Sequence, residues 1–322
     1  MSIASLLTTT DLATAIRAGI RGDVVTPDDP SFAAAAFGFD PATEHRPELV
    51  VIAQVAADVA ATVGLAARAG RRVAVQTSGF TTAASGPDTI LVVTRLLASV
   101  SIDPEARTAT VGAGAGWRQV LDSTSSFGLA PVSGPAAGSG AVRRVAAGKF
   151  GPAARAFSFA GEFVREFEVV TMLGDLVRVN ADQRPELFAA LRAGRSASVV
   201  VTAITIDLVP AGSLFAGGLW FSVDDVREVL TRWQEWVGQL PESTSTSVAL
   251  MDLPAVRDLP QQLRGRSVVH VRFNHVGDAD QGAQLLSAIR EVATPLLDTV
   301  RVPVSRGTVI DAAAAASCSE AA

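Results

Sequence analysis

The sequence predicts an α+β protein of two mixed domains, and three observations carry that reading. A chain of 322 residues with 48% hydrophobic content can bury more than one core. Short β-branched segments, separated by Gly, Pro, Asp and Ser, are interleaved with alanine-rich helical runs. A strand of nearly continuous apolar character closes at Pro210, and beyond it a second block begins with a strand and a tryptophan-bearing helix.

The elements follow in order. "TDLATAIRAGI" has helical spacing, "DVVTPDDPSF" reads as a Pro/Asp loop, and "PELVVIAQV" is a strand leading into the helix "AADVAATVGLAARAG". "RRVAVQTSGF", "DTILVVT" and "ASVSIDPEARTATVGAG" supply short strands before the helix "WRQVLDSTSSFG" and a long Gly/Ala loop. "VREFEVVTMLGDLVRV" is a hairpin turning at Leu173, Gly174 and Asp175; "PELFAALRAG" is a helix, and "ASVVVTAITIDLVP" the closing strand. The second block has the strand "LFAGGLWFS", the amphipathic helix "VDDVREVLTRWQEWVGQL", the strands "STSVALMDL" and "SVVHVRFNHV", and the helix "DADQGAQLLSAIREVATPLL". An alanine-rich tail follows, and there is no internal repeat.

Composition removes several functions. The formal charge is −5 and no Lys/Arg run is present, which argues against nucleic acid as a partner. The first residues lack a basic start and carry Asp11, and no apolar run approaches ~18 residues, so the expectation is a cytoplasmic chain with no membrane span. Cys318 is the only cysteine, which excludes an internal disulfide and a thiolate metal site. Tyrosine is absent and Lys149 is the only lysine, so no phenol can act as acid or base and a Schiff base could form at one position alone. His270 and His275 alternate onto opposite faces of one strand, with no carboxylate at metal-ligand spacing; both read as structural, and no metal is expected. Val226, Leu230, Trp233 and Trp236 form the inner face of their helix, while Arg227, Glu228, Arg232 and Glu235 form its wet face.

In "RTATVGAGAGWRQVL", Gly112, Gly114 and Gly116 suggest a dinucleotide fingerprint. The third glycine falls one position early, and no acidic residue follows where the ribose hydroxyl would need one. The glycines therefore read as a tight strand-to-helix turn.

The order of segments resembles the vanillyl-alcohol oxidase/p-cresol methylhydroxylase (PCMH-type) flavoproteins, in particular the berberine-bridge-like FAD-linked oxidoreductases. The likeness runs from about Asp28 to Asp298 through "RPELVVIAQVAADVAATVGLAARAG", "VAVQTSGF", "SIDPEARTATVGAGAGW", "FGLAPVSGP", "EFEVVTMLGDLVRVNADQRPELFAALRAG" and "VVVTAITIDLVP". It implies a two-lobed PCMH-type FAD-binding domain over 28–210 and a partial α+β substrate domain over 211–311, while spacing and composition add an N-terminal helical segment over 1–27 and a disordered tail over 312–322. It also implies FAD as cofactor and an organic small-molecule substrate oxidised by hydride transfer to the flavin. The implied FAD contacts are Gln76, Thr77, Ser78, Gly79, Phe80 and Thr81, whose backbone N–H groups can nest the pyrophosphate, together with Ser133, Gly134, Gly140, Val142, Gly148 and Val200.

The chain departs from the family at these loops. Phe80 stands where relatives place a histidine that often tethers the flavin, so FAD is expected to be noncovalent. Arg143, Ala147 and Lys149 replace loop glycines, and "AGRSASV" keeps only Gly194, which weakens the expected binding. Arg143, Arg144 and Lys149 could instead neutralise the pyrophosphate. Berberine-bridge relatives often use a tyrosine as base, and this chain has none, so no catalytic residue is assigned. The alternative function is a degenerate, non-catalytic member that binds a small molecule or a protein. Relatives continue past the point where this sequence stops, so the second domain is expected to leave an apolar sheet edge, around "SVALMDL" and "VVHVRF", open to self-association.

Overall fold

The structure, a computed structural model, describes residues 8–37, 45–77, 86–131, 140–146, 154–157, 160–195, 199–210, 214–257 and 259–300. They belong to two compact units, one drawn from 1–124, 139–149 and 161–208, the other from 125–138, 150–160 and 209–322. The fold is mixed α+β.

In the first unit, α1 (Thr9–Gly19) opens with a capping box in which Thr8 Oγ1 accepts from Asp11 N at 3.2 Å and Asp11 accepts from Thr8 N at 3.3 Å. The expected Pro/Asp loop contains a strand, β1 (Asp23–Val25), and a short helix, α2 (Phe32–Ala36). Three residues following Gly22 carry too little pattern to announce a strand; pairing with β2 (Leu49–Ile52) makes it one. After α3 (Ala56–Arg68) come β3 (Arg72–Gln76) and β4 (Thr89–Val93), and the sheet runs β1-β2-β4-β3 with β2, β4 and β3 parallel. Leu49, Val51, Ile90 and Val92 pack with Leu12, Ile16, Val59 and Val63 on one face. Val50, Ile52, Leu91 and Val93 pack with Ala35 and Ala36 on the other. Burial on both faces is why these strands read as unbroken apolar runs.

A second sheet in this unit is antiparallel. It is built from β5 (Val100–Asp103) and β6 (Thr108–Gly112), then, beyond α4 (Trp117–Ser125), β7 (Leu129–Pro131), α5 (Ala141–Ala146) and α6 (Ala154–Phe157), from β8 (Val164–Thr171), β9 (Leu176–Asn180) and β10 (Val199–Pro210). Its order is β5-β6-β10-β8-β9. α7 (Pro185–Arg192) packs Phe188 edge-on to Phe167, with centroids 5.9 Å apart. β7 and the two short helices occupy the stretch expected to be loop alone.

The second unit has its own sheet. β11 (Leu214–Ser222), α8 (Val226–Val237), β12 (Thr244–Asp252), β13 (Ser267–Val276), α9 (Ala279–Arg290) and a two-residue β14 (Leu297–Asp298) give the antiparallel order β12-β13-β11-β14. Phe215, Leu219, Phe221, Val271 and Phe273 face Val229, Trp236, Leu286 and Ile289 of the two helices. The reverse face buries Trp220, Met251 and Val268 against Leu253 and Leu263. β12 is an edge strand, but Val268, Val269, Val271 and Phe273 are buried, so the expected apolar patch comes down to Leu250.

Candidate functional site

The glycine turn and the ends of the parallel strands meet in the first unit. A Cβ on Gly112 would strike the Leu97 carbonyl, and one on Gly114 would lie 2.5 Å from the Thr94 carbonyl and press on Arg95. These glycines serve close backbone approach to the segment leaving β4, so the turn is scaffold. Thr94 N in turn donates to Gln76 O at 2.9 Å, which ties the carboxyl ends of β3 and β4 together. On the other side of the turn Ala141 N donates to Ala115 O at 2.9 Å, and Gly116 bridges Gly140. Gln76, the turn, Gly140 and the start of α5 thus form one continuous backbone surface at the carboxyl edge of a parallel sheet. That edge is where open α/β sheets hold ligands.

Three buried side-chain groups along this line have no hydrogen-bond partner: Gln76 Oε1, Thr94 Oγ1 and Trp117 Nε1. Gln76 is fixed by its other end, where Nε2 donates to Phe37 O at 2.7 Å, so its free carbonyl oxygen is held in place as an acceptor. Trp117, fully buried at the start of α4, offers a donor, and the Thr94 hydroxyl offers either role. An unmet buried polar atom costs about 1–3 kcal/mol, so each of the three is a candidate contact for a polar ligand.

The residues expected from sequence fall unevenly on this surface. Gln76 ends β3 and Thr77 follows it, Gly140 is in the bridge, and Val142 is buried in α5. Val200 packs its side chain into the core beside Val170. Ser78, Gly79, Phe80, Thr81, Ser133, Gly134 and Gly148 lie outside the described residues, as do the side chains of Arg143 and Arg144, and Lys149. Thr94 and Trp117 escaped sequence reasoning because nothing in a Thr-Arg or Gly-Trp pair signals an unpartnered side chain.

In the second unit, His270 stacks on Trp220 with centroids 3.6 Å apart and rings 7° from parallel. Burial, reinforced by the Arg272 charge, pushes its pKa down to about 3. His275, on the opposite face, shares a 2.8 Å hydrogen bond between Nδ1 and Thr244 Oγ1, and burial lowers its pKa too. Among the described residues no group of His, Cys, Asp and Glu could hold a metal ion, and no helix is long and apolar enough to cross a membrane.

Residues 47–180 match the family model of the FAD binding domain, and the match takes in β3, the glycine turn, Gly140 and α5. The chain carries a PCMH-type FAD-binding domain. It is 27% identical over 288 residues to (R)-6-hydroxynicotine oxidase of Paenarthrobacter nicotinovorans, covering 88% of this chain and 61% of that protein. The crystal structure of 6-hydroxy-D-nicotine oxidase from Arthrobacter nicotinovorans superposes with a TM-score of 0.80 at 25% identity, over 91% of this chain and 64% of the other. The BBE-like 1 protein of Physcomitrella patens shares the fold at 19% identity, with a TM-score of 0.74 over 88% of this chain and 61% of its own. The chain therefore spans about three fifths of the length of these relatives.

The PCMH-type site fits its cofactor in kind. FAD carries ribityl hydroxyls, phosphate oxygens and ring N–H and C=O groups, and the three unpartnered atoms are an acceptor, a donor and a hydroxyl that can be either.

Proposed function

We propose that the chain is a FAD-dependent oxidoreductase that holds the cofactor noncovalently in its first unit and oxidises a small organic molecule by hydride transfer. The observation that carries this is the row of unpartnered buried atoms, Gln76 Oε1, Thr94 Oγ1 and Trp117 Nε1, inside a segment matched by a FAD-binding family. When bound, FAD supplies the two-electron acceptor. The chain's own part is to bind and orient. Gln76 would accept an N–H or O–H, Trp117 would donate, and the backbone from Gln76 and Thr77 through Ser78, Gly79, Phe80 and Thr81 would nest the phosphates. Ser133, Gly134, Gly140, Val142, Gly148 and the backbone at Val200 would complete the contact.

The similarity to (R)-6-hydroxynicotine oxidase supports a small-molecule substrate. Phe80 has no nucleophile for a covalent link to flavin. Arg143, Ala147 and Lys149 at glycine positions weaken the site; at ~1.4 kcal/mol each, three such changes lower affinity about a thousandfold. The test is a titration of the purified chain with FAD, followed by acid precipitation. Saturable binding in the micromolar range, with flavin left in the supernatant, is the expected result. A yellow, fluorescent pellet would show a covalent link, and no binding at high FAD would turn the reading to a non-catalytic member of the family.

A further inference from the structure

The second unit presents a polar strip on the sheet face turned away from α8 and α9. Along β13, His270, Arg272 and Asn274 alternate onto that face, opposite the side that buries Val271 and Phe273. The register places Ser247 of β12 on one flank of Arg272 and Gly218 of β11 on the other. Two small residues flank Arg272, and the ring of His270, stacked on Trp220, lies over Gly218. A Cβ on Gly218 would strike His270 Nε2, so glycine there is what lets the ring lie over the strand.

This strip carries two unmet nitrogens. His270 Nδ1 and Arg272 Nε are both buried without a hydrogen-bond partner, and His270 is only 3% exposed. Arg272 is also the only charged residue that β11, β12 and β13 place on this face, and it joins none of the ion pairs among the described residues. A buried N–H on a cation with neither partner nor counter-charge is expensive for the fold to keep.

We propose that this strip recognises the carboxylate of a small organic acid, with Arg272 as the anion-binding group and His270 as a second hydrogen-bonding contact. The Nε edge of a guanidinium pairs side-on with a planar carboxylate through two parallel hydrogen bonds. One cation balances one negative charge, whereas a phosphate dianion would be left half-neutralised. His270 is neutral above acid pH, so it adds a hydrogen bond and no second charge. The inference rests on the proposed oxidoreductase reading for the claim that the acid is a substrate; the binding itself does not require FAD.

The experiment titrates the full chain, without added FAD, with benzoate, with its neutral isostere benzamide and with inorganic phosphate, read by calorimetry and by the fluorescence of Trp220 beside the site. Benzoate is expected to saturate, with benzamide and phosphate weaker by on the order of tenfold or more. Arg272→Gln should weaken benzoate on the order of tenfold and leave FAD binding unchanged, and Arg272→Lys should restore only part of it. If Arg272→Gln does not fold, Ser247→Glu serves instead: it sets a carboxylate across from an intact Arg272 and should abolish benzoate binding. Equal binding of benzamide, preference for phosphate, absence of benzoate binding, or full benzoate binding by either variant would overturn the proposal. FAD is titrated separately. FAD binding without benzoate binding removes this inference and leaves the oxidoreductase reading. Benzoate binding without FAD binding leaves the site and removes the substrate assignment.

Discussion

Asp58 takes four backbone N–H groups at once. Its carboxylate accepts from Arg21 at 2.9 Å, Gly22 at 3.1 Å, Gln54 at 2.8 Å and Val55 at 3.2 Å, while the residue is 1% exposed. It therefore caps α3 and pins the entry to β1 against the exit from β2. Asp58→Ala would leave four part-buried backbone donors without this acceptor, and urea unfolding is expected to show a loss of about 2 kcal/mol. Asp58→Asn, whose amide offers one acceptor oxygen, should lose less. His270 contributes to the response to acid, in the same direction as His275, whose pKa burial also lowers. The folded pKa of His270 is about 3 against an unfolded value of 6.5, so the unfolded chain takes up the proton first. Stability is thus full above about pH 6.5 and falls toward pH 3, by about 1.4 kcal/mol per pH unit. Between pH 7 and 5 this amounts to about 2 kcal/mol, and His270→Phe, which keeps an aromatic ring against Trp220, should flatten that part of the profile. Alternation along one strand sets His270 and His275 on opposite faces, and the structure has them there. Their partners, Trp220 and Thr244, come from cross-strand register, which no local pattern encodes.

Elements with a strong period were legible: α1, α3, α4, α7 and α8 lie where apolar residues recur at helical spacing, and the β8–β9 hairpin turns at Leu173, Gly174 and Asp175. Elements made by their partners were not. β1 is three residues long and β14 two, and each exists because a longer strand offers it a ladder. The glycine turn was legible as a turn, but its purpose required the structure, since the Thr94 and Arg95 carbonyls that exclude a Cβ arrive from the segment leaving β4. Gly114→Ala should therefore cost far more than Gly128→Ala. Gly128 has φ +64° with open space around it, and alanine there should cost about 1 kcal/mol of backbone strain. At Gly114 the new methyl meets fixed backbone, so the turn must move off the β4 exit; a loss of about 3 kcal/mol, with weaker FAD binding, is expected. Equal melting temperatures for the two variants would remove the steric account.

At the scale of the molecule, the fold class was legible because no single motif had to carry it: the segments from "RPELVV" to "ITIDLVP" agree in order and spacing with one flavoprotein architecture, and the structure has that fold. Of the proposed cofactor site, the sequence offered Gln76, Thr77, Gly140 and Val142 as candidates through their loop chemistry, which is local, whereas the unmet groups of Thr94 and Trp117 are a property of packing. The two units have separate cores, one around Leu49, Val59 and Ile90 and one around Leu219, Val271 and Phe273. No residue is common to both clusters. FAD should accordingly stabilise one of them alone. At a free concentration of a hundred times Kd, a ligand bound only by the folded state adds about 2.7 kcal/mol to the unit that binds it. Calorimetry is expected to resolve two transitions, of which FAD raises one and leaves the other in place. Tryptophan fluorescence assigns them, since Trp117 reports on the first unit and Trp220, Trp233 and Trp236 on the second. In Trp117→Phe the remaining signal should follow the transition that FAD does not move, and benzoate should raise that one instead. A single transition that shifts as a whole with either ligand would mean that the two cores unfold as one.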